Sequence, residues 1–442
     1  MTGTGTGARS AVRTLVEAAR RRVRLRTRLR RLRHAWRSRF PRRLPTWPDD
    51  HPPTQPPATR QVDGRIRVAP AGGNPQGRQR YTPQVLVGEL TLEPGQTGPG
   101  RWRIRLTDGR VVAAGWVGQP LESSLAAALT RIGGVTCRPA PHDPPGAWAR
   151  LVAQLATTGL VLHVDPVAAA PWQSWLAPSL MSLLVEPLPP TEADPMNWEL
   201  RSVRQRRVAL REHGDGPTPP SVSALLVTKR PELVPGVLTT LAGQTYPQLE
   251  IVVAVHGGPE PELPASLDRP VTTLTVSAEQ TLGEALSAAT AAASGTVVTK
   301  VDDDDRYGPE HIWDLVLARQ FSGATVVGKG AEFVYLEPKD LTVRRRMGAE
   351  TFTDTVAGGT IAIDQDALAE VDGWPPVPRS VDRALLDRVI DASGTIYRTH
   401  PFGFIYVRHG NGHTWDPGME YFLRDPVRTW PGLPWYDEFG TQ

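Results

Sequence analysis

Gly295-Thr296-Val297-Val298-Thr299-Lys300-Val301-Asp302-Asp303-Asp304-Asp305 is the stretch on which the reading of this chain turns. Its first part is short and β-branched after a glycine turn signal, the pattern of a buried strand. Its second part places four carboxylates where that strand leaves its sheet. In open α/β sheets the carboxyl edge is where ligands bind. Like charges crowded there need a cation or a solvated loop to relieve them. Residues two apart on an extended chain share a face, so the spacing lets Asp302 and Asp304 share one hard cation. A solvated acidic turn leading into a helix is the plainer alternative. Gly308-Pro309-Glu310-His311 follows and reads as a helix start with proline in its first position.

Around this stretch, strands and helices alternate. Residues 222–228, 249–255, 271–276 and 297–301 read as strands, and 231–244 and 282–293 as helices. Such alternation predicts a largely parallel sheet with crossover helices. Short strands at 325–327 and 333–336 flank Lys329, which stands between Gly328 and Gly330. That lysine reads equally as an acceptor or phosphate contact and as a strand-end side chain reaching water. Glu332 admits the same two readings.

At 442 residues the chain calls for two domains plus tails. Its 44 prolines and 41 glycines predict linkers and many turns. One cysteine, Cys137, excludes an intrachain disulfide or a cysteine metal cluster. No apolar run approaches the ~20 residues of a membrane span, and no secretory h-region is seen, so a cytoplasmic protein is expected.

The net charge of +4 hides an asymmetry: residues 1–44 hold 15 arginines and one acid, Glu17, while the remainder has 35 basic and 45 acidic residues. Apolar residues recur at helical spacing between those arginines, ending in Trp36 and Phe40. A basic amphipathic helix of this kind suits an anionic membrane surface. A solvated arm and a nucleic-acid arm are the alternatives, and the interleaved apolar residues disfavour nucleic acid.

Residues 45–63 form a proline-rich linker. Residues 64–213 read as a smaller α/β or α+β domain. Strands are expected at 85–87, 102–106, 111–112 and 160–164, with a hairpin at Asp108-Gly109, and helices at 121–132, 148–157 and 195–211. No catalytic constellation stands out there. His163 reads as a hydrogen-bonded core histidine. Arg201, Arg204, Arg206 and Arg207 read as an outward, solvated helix face, with phosphates or the acidic domain as alternative partners. Residues 214–220 are a second linker.

From residue 221 to 415 the chain resembles a family 2 glycosyltransferase with the GT-A fold. The resemblance rests on 222–230; on Gln244-Thr245-Tyr246-Pro247 before a strand; on Gly283, Ala285, Ala288 and Gly295; and on Asp302-Asp303-Asp304-Asp305 with Pro309. It continues through Gly358-Gly359-Thr360, Gly373-Trp374 and Asp382. It implies a mostly parallel GT-A sheet flanked by helices. It also implies inverting transfer of a sugar from a nucleoside-diphosphate donor, with UDP as the default, to a glycan or lipid-linked acceptor. Mg²⁺ or Mn²⁺ on Asp304 and Asp302 would neutralise the diphosphate leaving group. Asp382 is implied as the base that takes the acceptor proton, with an ordinary helix N-cap as the plainer reading.

Thr228, Arg230, His256, Lys300, Asp302, Asp303 and Arg408 are the expected donor contacts. Asp305, Lys329, Gly358, Gly359, Thr360 and Trp374 are expected on the acceptor side. His413 is the candidate extra metal ligand, with His409 second. Two positions depart from the family pattern: Val255-His256 stands where an acid usually binds the nucleotide base, and Val381 precedes Asp382 where a second acid is common. The segment 416–442, with Trp430, Trp435 and Tyr436, reads as an irregular strap or an interaction segment. A nucleotidyltransferase or other metal-dependent phosphate enzyme is one competing class, and a non-catalytic sugar-nucleotide scaffold is another.

Overall fold

The computed structural model describes residues 61–62, 65–68, 86–93, 100–119, 121, 125, 129, 132–190, 195–264, 266–410, 417–434 and 436–439. The expected arm at 1–44, most of the proline-rich linker, His413 and Trp435 lie outside them. The described residues all belong to one compact unit.

β1 (Gln61–Val62) and β2 (Arg65–Ile66) make a small antiparallel ribbon. β3 (Leu86–Glu93), β4 (Arg101–Leu106), β5 (Val111–Trp116), β6 (Ile132–Cys137) and β7 (Val161–His163) form a sheet in the order β5-β4-β3-β6-β7. Its antiparallel half turns at Gly109, whose φ of 85° only glycine adopts freely. Ile132 was expected to end a helix and instead opens β6. Gly133-Gly134 disfavours helix, and Gly134 leaves the room that the Trp198 ring fills. Helix Pro145–Ala156 buries Trp148, Leu151, Val152 and Leu155 beneath this sheet, and Trp148 stacks on Trp172 at 5.7 Å. His163 is tied to the carbonyls of Glu186 and Leu184, as expected of a structural histidine.

The main sheet contains β8 (Val222–Thr228), β9 (Leu249–His256), β10 (Val271–Val276) and β11 (Val297–Val301). After these come β12 (Arg306–Tyr307), β13 (Val326–Gly328), β14 (Phe333–Leu336), β15 (Leu341–Arg344) and β16 (Thr351–Thr353). The last are β17 (Ala362–Asp364), β18 (Ile396–Arg398), β19 (Phe404–Arg408) and β20 (Arg428–Pro431). The large sheet runs β10-β9-β8-β11-β17-β13-β18-β16, with β17 and β16 reversed. This is the mostly parallel, helix-flanked α/β sheet that the resemblance implies. Its inner strands are apolar on both faces because helices cover both, with Leu226 and Val253 on one side and Leu225 and Val252 on the other.

The chain steps outward from β8 to β9 to β10. It then returns through helix Leu282–Ala291, which opens on a Thr281–Glu284 capping box, to place β11 on the other side of β8. The ends of β8 and β11 therefore flank a topological switch point. A second sheet, β12-β19-β14-β15-β20, stands beside that edge. Its last strand comes from the C-terminal segment, whose Phe439 packs edge-on to Phe333 at 4.9 Å. The following helix begins at His311, two residues beyond the expected proline start, and the Pro309 carbonyl accepts from Thr245 N–H instead.

Helix Pro195–His213 differs most from expectation. Arg201, Arg206 and Arg207 are buried together with Trp198, Leu200 and Val203. The arginines face inward because carboxylates meet them: Arg204 pairs with Glu438, Arg206 with Glu350 at 2.6 Å and Arg207 with Asp314 at 2.8 Å. Among the described residues no helix is long and apolar enough to cross a membrane.

Candidate active site

Beyond Val301 the chain bends, so strand alternation stops. That bend divides three of the four carboxylates between two cations. Asp303 accepts from Thr228 Oγ1 and from both Nε and an Nη of Arg230, tying the ends of β8 and β11 together. The same guanidinium reaches Asp304 Oδ2 at 2.9 Å. Its hydrogen bond to Asp303, against partial burial, holds Arg230 above its ordinary pKa.

Asp302 turns the other way. Lys300, the penultimate residue of β11, donates through Nζ to Asp302 Oδ1 at 2.5 Å and lies 3.5 Å from Asp382 Oδ1. Burial pushes the Lys300 ammonium down, but the charges of Asp302 and Asp382 outweigh it and hold the group above its usual value. Asp302 is pushed up by burial and by Asp382 and Asp304, with Lys300 acting against them. The side chains of Asp302 and Asp382 each keep 32% of their surface open. They are reachable from solvent, whereas Asp303 at 9% is nearly closed off.

Asp382 comes from helix Val381–Asp391. Ser380, not Asp382, holds the N-cap position, so the capping alternative does not apply. Gly358 and Gly359 lie between the two banks. A Cβ on Gly358 would come within 2.6 Å of Asp382 Cγ, and one on Gly359 would meet Tyr307 Oη, Asp302 Oδ2 and Asp305 Oδ2 at 2.7–3.0 Å. Tyr307 Oη accepts from Asp302 N–H at 2.8 Å and donates to the Gly359 carbonyl at 2.9 Å. Asp305 Oδ1 accepts from Val407 N–H at 3.0 Å, while its Oδ2 is buried without a hydrogen-bond partner among the described residues. Burial, then Asp302 and Asp304, hold the Asp305 carboxyl well above the usual range.

The remaining expected residues fall elsewhere. His256 ends β9 but is buried, with Nε2 on the Gln280 carbonyl at 2.8 Å, which spends one ring nitrogen inside the protein. Lys329 neither reaches an acceptor nor snorkels: it is fully buried, bonded to Asp314 Oδ2 at 2.9 Å and to the carbonyl of Phe402. Glu332 is likewise buried, against Arg344 at 2.9 Å. Thr360 is buried, and its hydroxyl is used on Lys329 and Ala357. Trp374 packs in the core with its indole N–H on Thr290 Oγ1 at 3.0 Å, so it presents no ring to a substrate. Arg408 is buried, 5.3 Å from the Phe422 ring and 3.2 Å from Tyr406 Oη. His409 pairs with Glu337 at 2.6 Å.

Sequence reasoning missed Tyr307, although it stands two residues beyond the aspartates. It also missed the network centred on Asp314, which Arg207, Lys329 and His400 approach within 3.2 Å. A cavity of 340 Å³ opens beside Arg211, the 214–219 segment and Trp313, and none of the site carboxylates lines it.

Among the described residues no three His, Cys, Asp or Glu side chains are gathered into a metal cage. Mg²⁺-type sites that act on phosphates commonly use one or two carboxylates, with waters and substrate oxygens completing the shell. By ligand number Asp302 and Asp304 meet that smaller demand, though the bend takes them off the shared strand face that the spacing predicts. Asp302, Asp303, Asp304 and Asp382 are met by the side-chain cations Lys300 and Arg230, and Asp305 pairs with neither. The unbalanced negative charge, with the orphaned Asp305 oxygen, suits a divalent cation.

No family model matches the chain, and no curated protein matches it. Among solved structures the chain is similar to S. aureus TarS residues 1–349 in complex with UDP-GlcNAc, at 14% identity and a TM-score of 0.34, over 44% of this chain and 60% of that one. It is also similar to the mannosyltransferase PcManGT from Pyrobaculum calidifontis in complex with GDP-Man and Mn²⁺, at 15% identity and a TM-score of 0.34, over 60% of this chain and 68% of that one.

Proposed function

We propose that the chain is a metal-dependent inverting glycosyltransferase that moves a sugar from a nucleoside-diphosphate donor, UDP by default, to an acceptor hydroxyl. One observation carries the reading: Asp302 and Asp382 face each other across Lys300 at the carboxyl edge of the parallel strands, with Gly358 and Gly359 keeping the space between them open. The donor lies on the side of Thr228, Arg230 and Asp302–Asp304. Asp304, with Asp302, holds Mg²⁺ or Mn²⁺, which supplies positive charge for the departing diphosphate. When donor phosphates arrive, the Arg230 guanidinium can exchange its carboxylates for phosphate oxygens, a pairing its planar fork suits. Asp382 takes the proton of the attacking hydroxyl, with Lys300 Nζ 3.5 Å from its Oδ1. Asp305, Gly358 and Gly359 bound the acceptor side.

The acceptor class is a glycan or lipid-linked precursor of a cell-envelope polymer, and the arginine-rich segment 1–44 brings the enzyme to the inner, anionic face of the membrane. A thermal-shift screen of nucleoside diphosphates with Mn²⁺ tests the donor side. A melting temperature raised by one diphosphate, and not by the same compound with EDTA, supports the reading. No response to any diphosphate at millimolar concentration opposes it.

A further inference from the structure

We propose that helix Pro195–His213 is a positioning element of the acceptor side, acting through Arg207 and Arg206 on the turn that carries Gly358 and Gly359. The inference rests on the glycosyltransferase reading for its functional consequence, but its structural core stands apart from it.

Two routes lead from the helix to the turn. Arg207 grips Asp314 with Nε at 2.8 Å and Nη2 at 3.1 Å. Asp314 in turn holds Lys329 Nζ at 2.9 Å. The Lys329 backbone carries the turn: its N–H donates to Thr360 Oγ1 at 2.8 Å, and its carbonyl accepts from Ala357 N–H at 2.8 Å. Gly358 and Gly359 lie between those two anchors, directly against Asp382, Asp302 and Asp305.

The second route begins with Arg206, which pairs with Glu350 at 2.6 Å; Tyr397 Oη donates to the same carboxylate at 2.7 Å. Glu350 takes a φ of 54°, a left-handed conformation that a glutamate holds only when its surroundings impose it. It opens the run 351–357 that enters the turn, and Arg398 clamps that run at Thr353 Oγ1 (3.1 Å) and the Thr355 carbonyl (2.6 Å).

The two-point grip of Arg207 on Asp314 and the buried Arg206–Glu350 pair each fix an orientation, which one apolar contact would not. Neither arginine touches a residue of the proposed donor side, so their effect on the site passes through the turn.

Hydrogen–deuterium exchange on the full chain tests this, with Arg207→Lys and Arg206→Lys as variants that keep the charge and lose the fork. Exchange in the peptide spanning 354–361 should rise by at least about tenfold in folded variants. Binding of the nucleoside diphosphate should stay within about twofold while the turnover number falls by about tenfold or more, since a loosened turn misplaces the acceptor and not the donor. Unchanged protection of 354–361 in a folded variant overturns the proposal. So does a parallel loss of diphosphate binding.

If neither variant folds, native-state exchange of the wild-type chain in sub-denaturing urea decides. Peptides from 195–213 and 354–361 should open at the same urea concentration, and opening of 354–361 at lower urea refutes the coupling. Absence of sugar transfer by the wild type would remove the glycosyltransferase reading and leave the exchange result to judge the positioning claim by itself.

Discussion

Gly358→Ala probes the centre of the proposed site with one methyl group. Gly358 has a negative φ, so alanine meets no backbone penalty there. The new Cβ would overlap Asp382 Oδ2 and start 2.6 Å from Cγ, so the carboxylate must retreat by more than about 1 Å to reach ordinary van der Waals separation. The obstructing group is the far end of a side chain with 32% of its surface open. It can swing away, and the stability cost should stay below about 1–2 kcal/mol.

Catalysis has no such freedom. A base displaced by about 1 Å or more from a reacting hydroxyl costs on the order of 100-fold in rate. The assay follows transfer from a radiolabelled sugar nucleotide to acceptor, with donor binding by calorimetry and thermal unfolding in parallel. The expected result is a turnover number down about 100-fold, donor affinity within about twofold and a melting temperature within a few degrees of wild type. Transfer within threefold of wild type would refute the placement of Asp382 at the reacting centre. A loss confined to donor affinity would assign the Gly358 face to the wrong substrate.

Asp382→Asn should retain donor binding and lose transfer by about 10²–10⁴-fold, the usual contribution of a general base; near-normal turnover removes that role. His400 is held at about 3, chiefly by burial, against an ordinary ~6.5. The folded state therefore resists protonation, and stability falls as pH drops below ~6.5. His400→Gln should flatten the urea midpoint between about pH 6.5 and 5 relative to wild type, and parallel profiles would contradict this. Deleting residues 1–44 should abolish binding to vesicles containing anionic lipid and spare transfer to a soluble acceptor; unchanged vesicle binding would end the membrane reading.

Strands stood out in the sequence where β-branched residues cluster. Val271–Val276 and Val297–Val301 fall where the pattern predicts them. Ile132–Cys137 did not, because its two glycines carry no periodic signal and its place is set by the distant Trp198 ring. The aspartate run was legible as a charged sheet edge, but its division between Arg230 and Lys300 depends on a backbone bend that alternation cannot foresee. Arg206 and Arg207 read as solvated because arginine without a visible partner is normally exposed; Glu350 and Asp314 lie more than 100 residues away in sequence. Trp374 stands in its expected place in motif order and Lys329 between its two expected strands, yet neither placement says which way a side chain turns, and both turn into the core.

The most direct test is to incubate the chain with a sugar nucleotide, acceptor and Mn²⁺ and to identify the nucleotide released. The account predicts nucleoside diphosphate in equal amount to glycosylated acceptor, lost with EDTA and in Asp304→Ala. Release of nucleoside monophosphate with pyrophosphate, or turnover that survives both EDTA and Asp304→Ala, would contradict it.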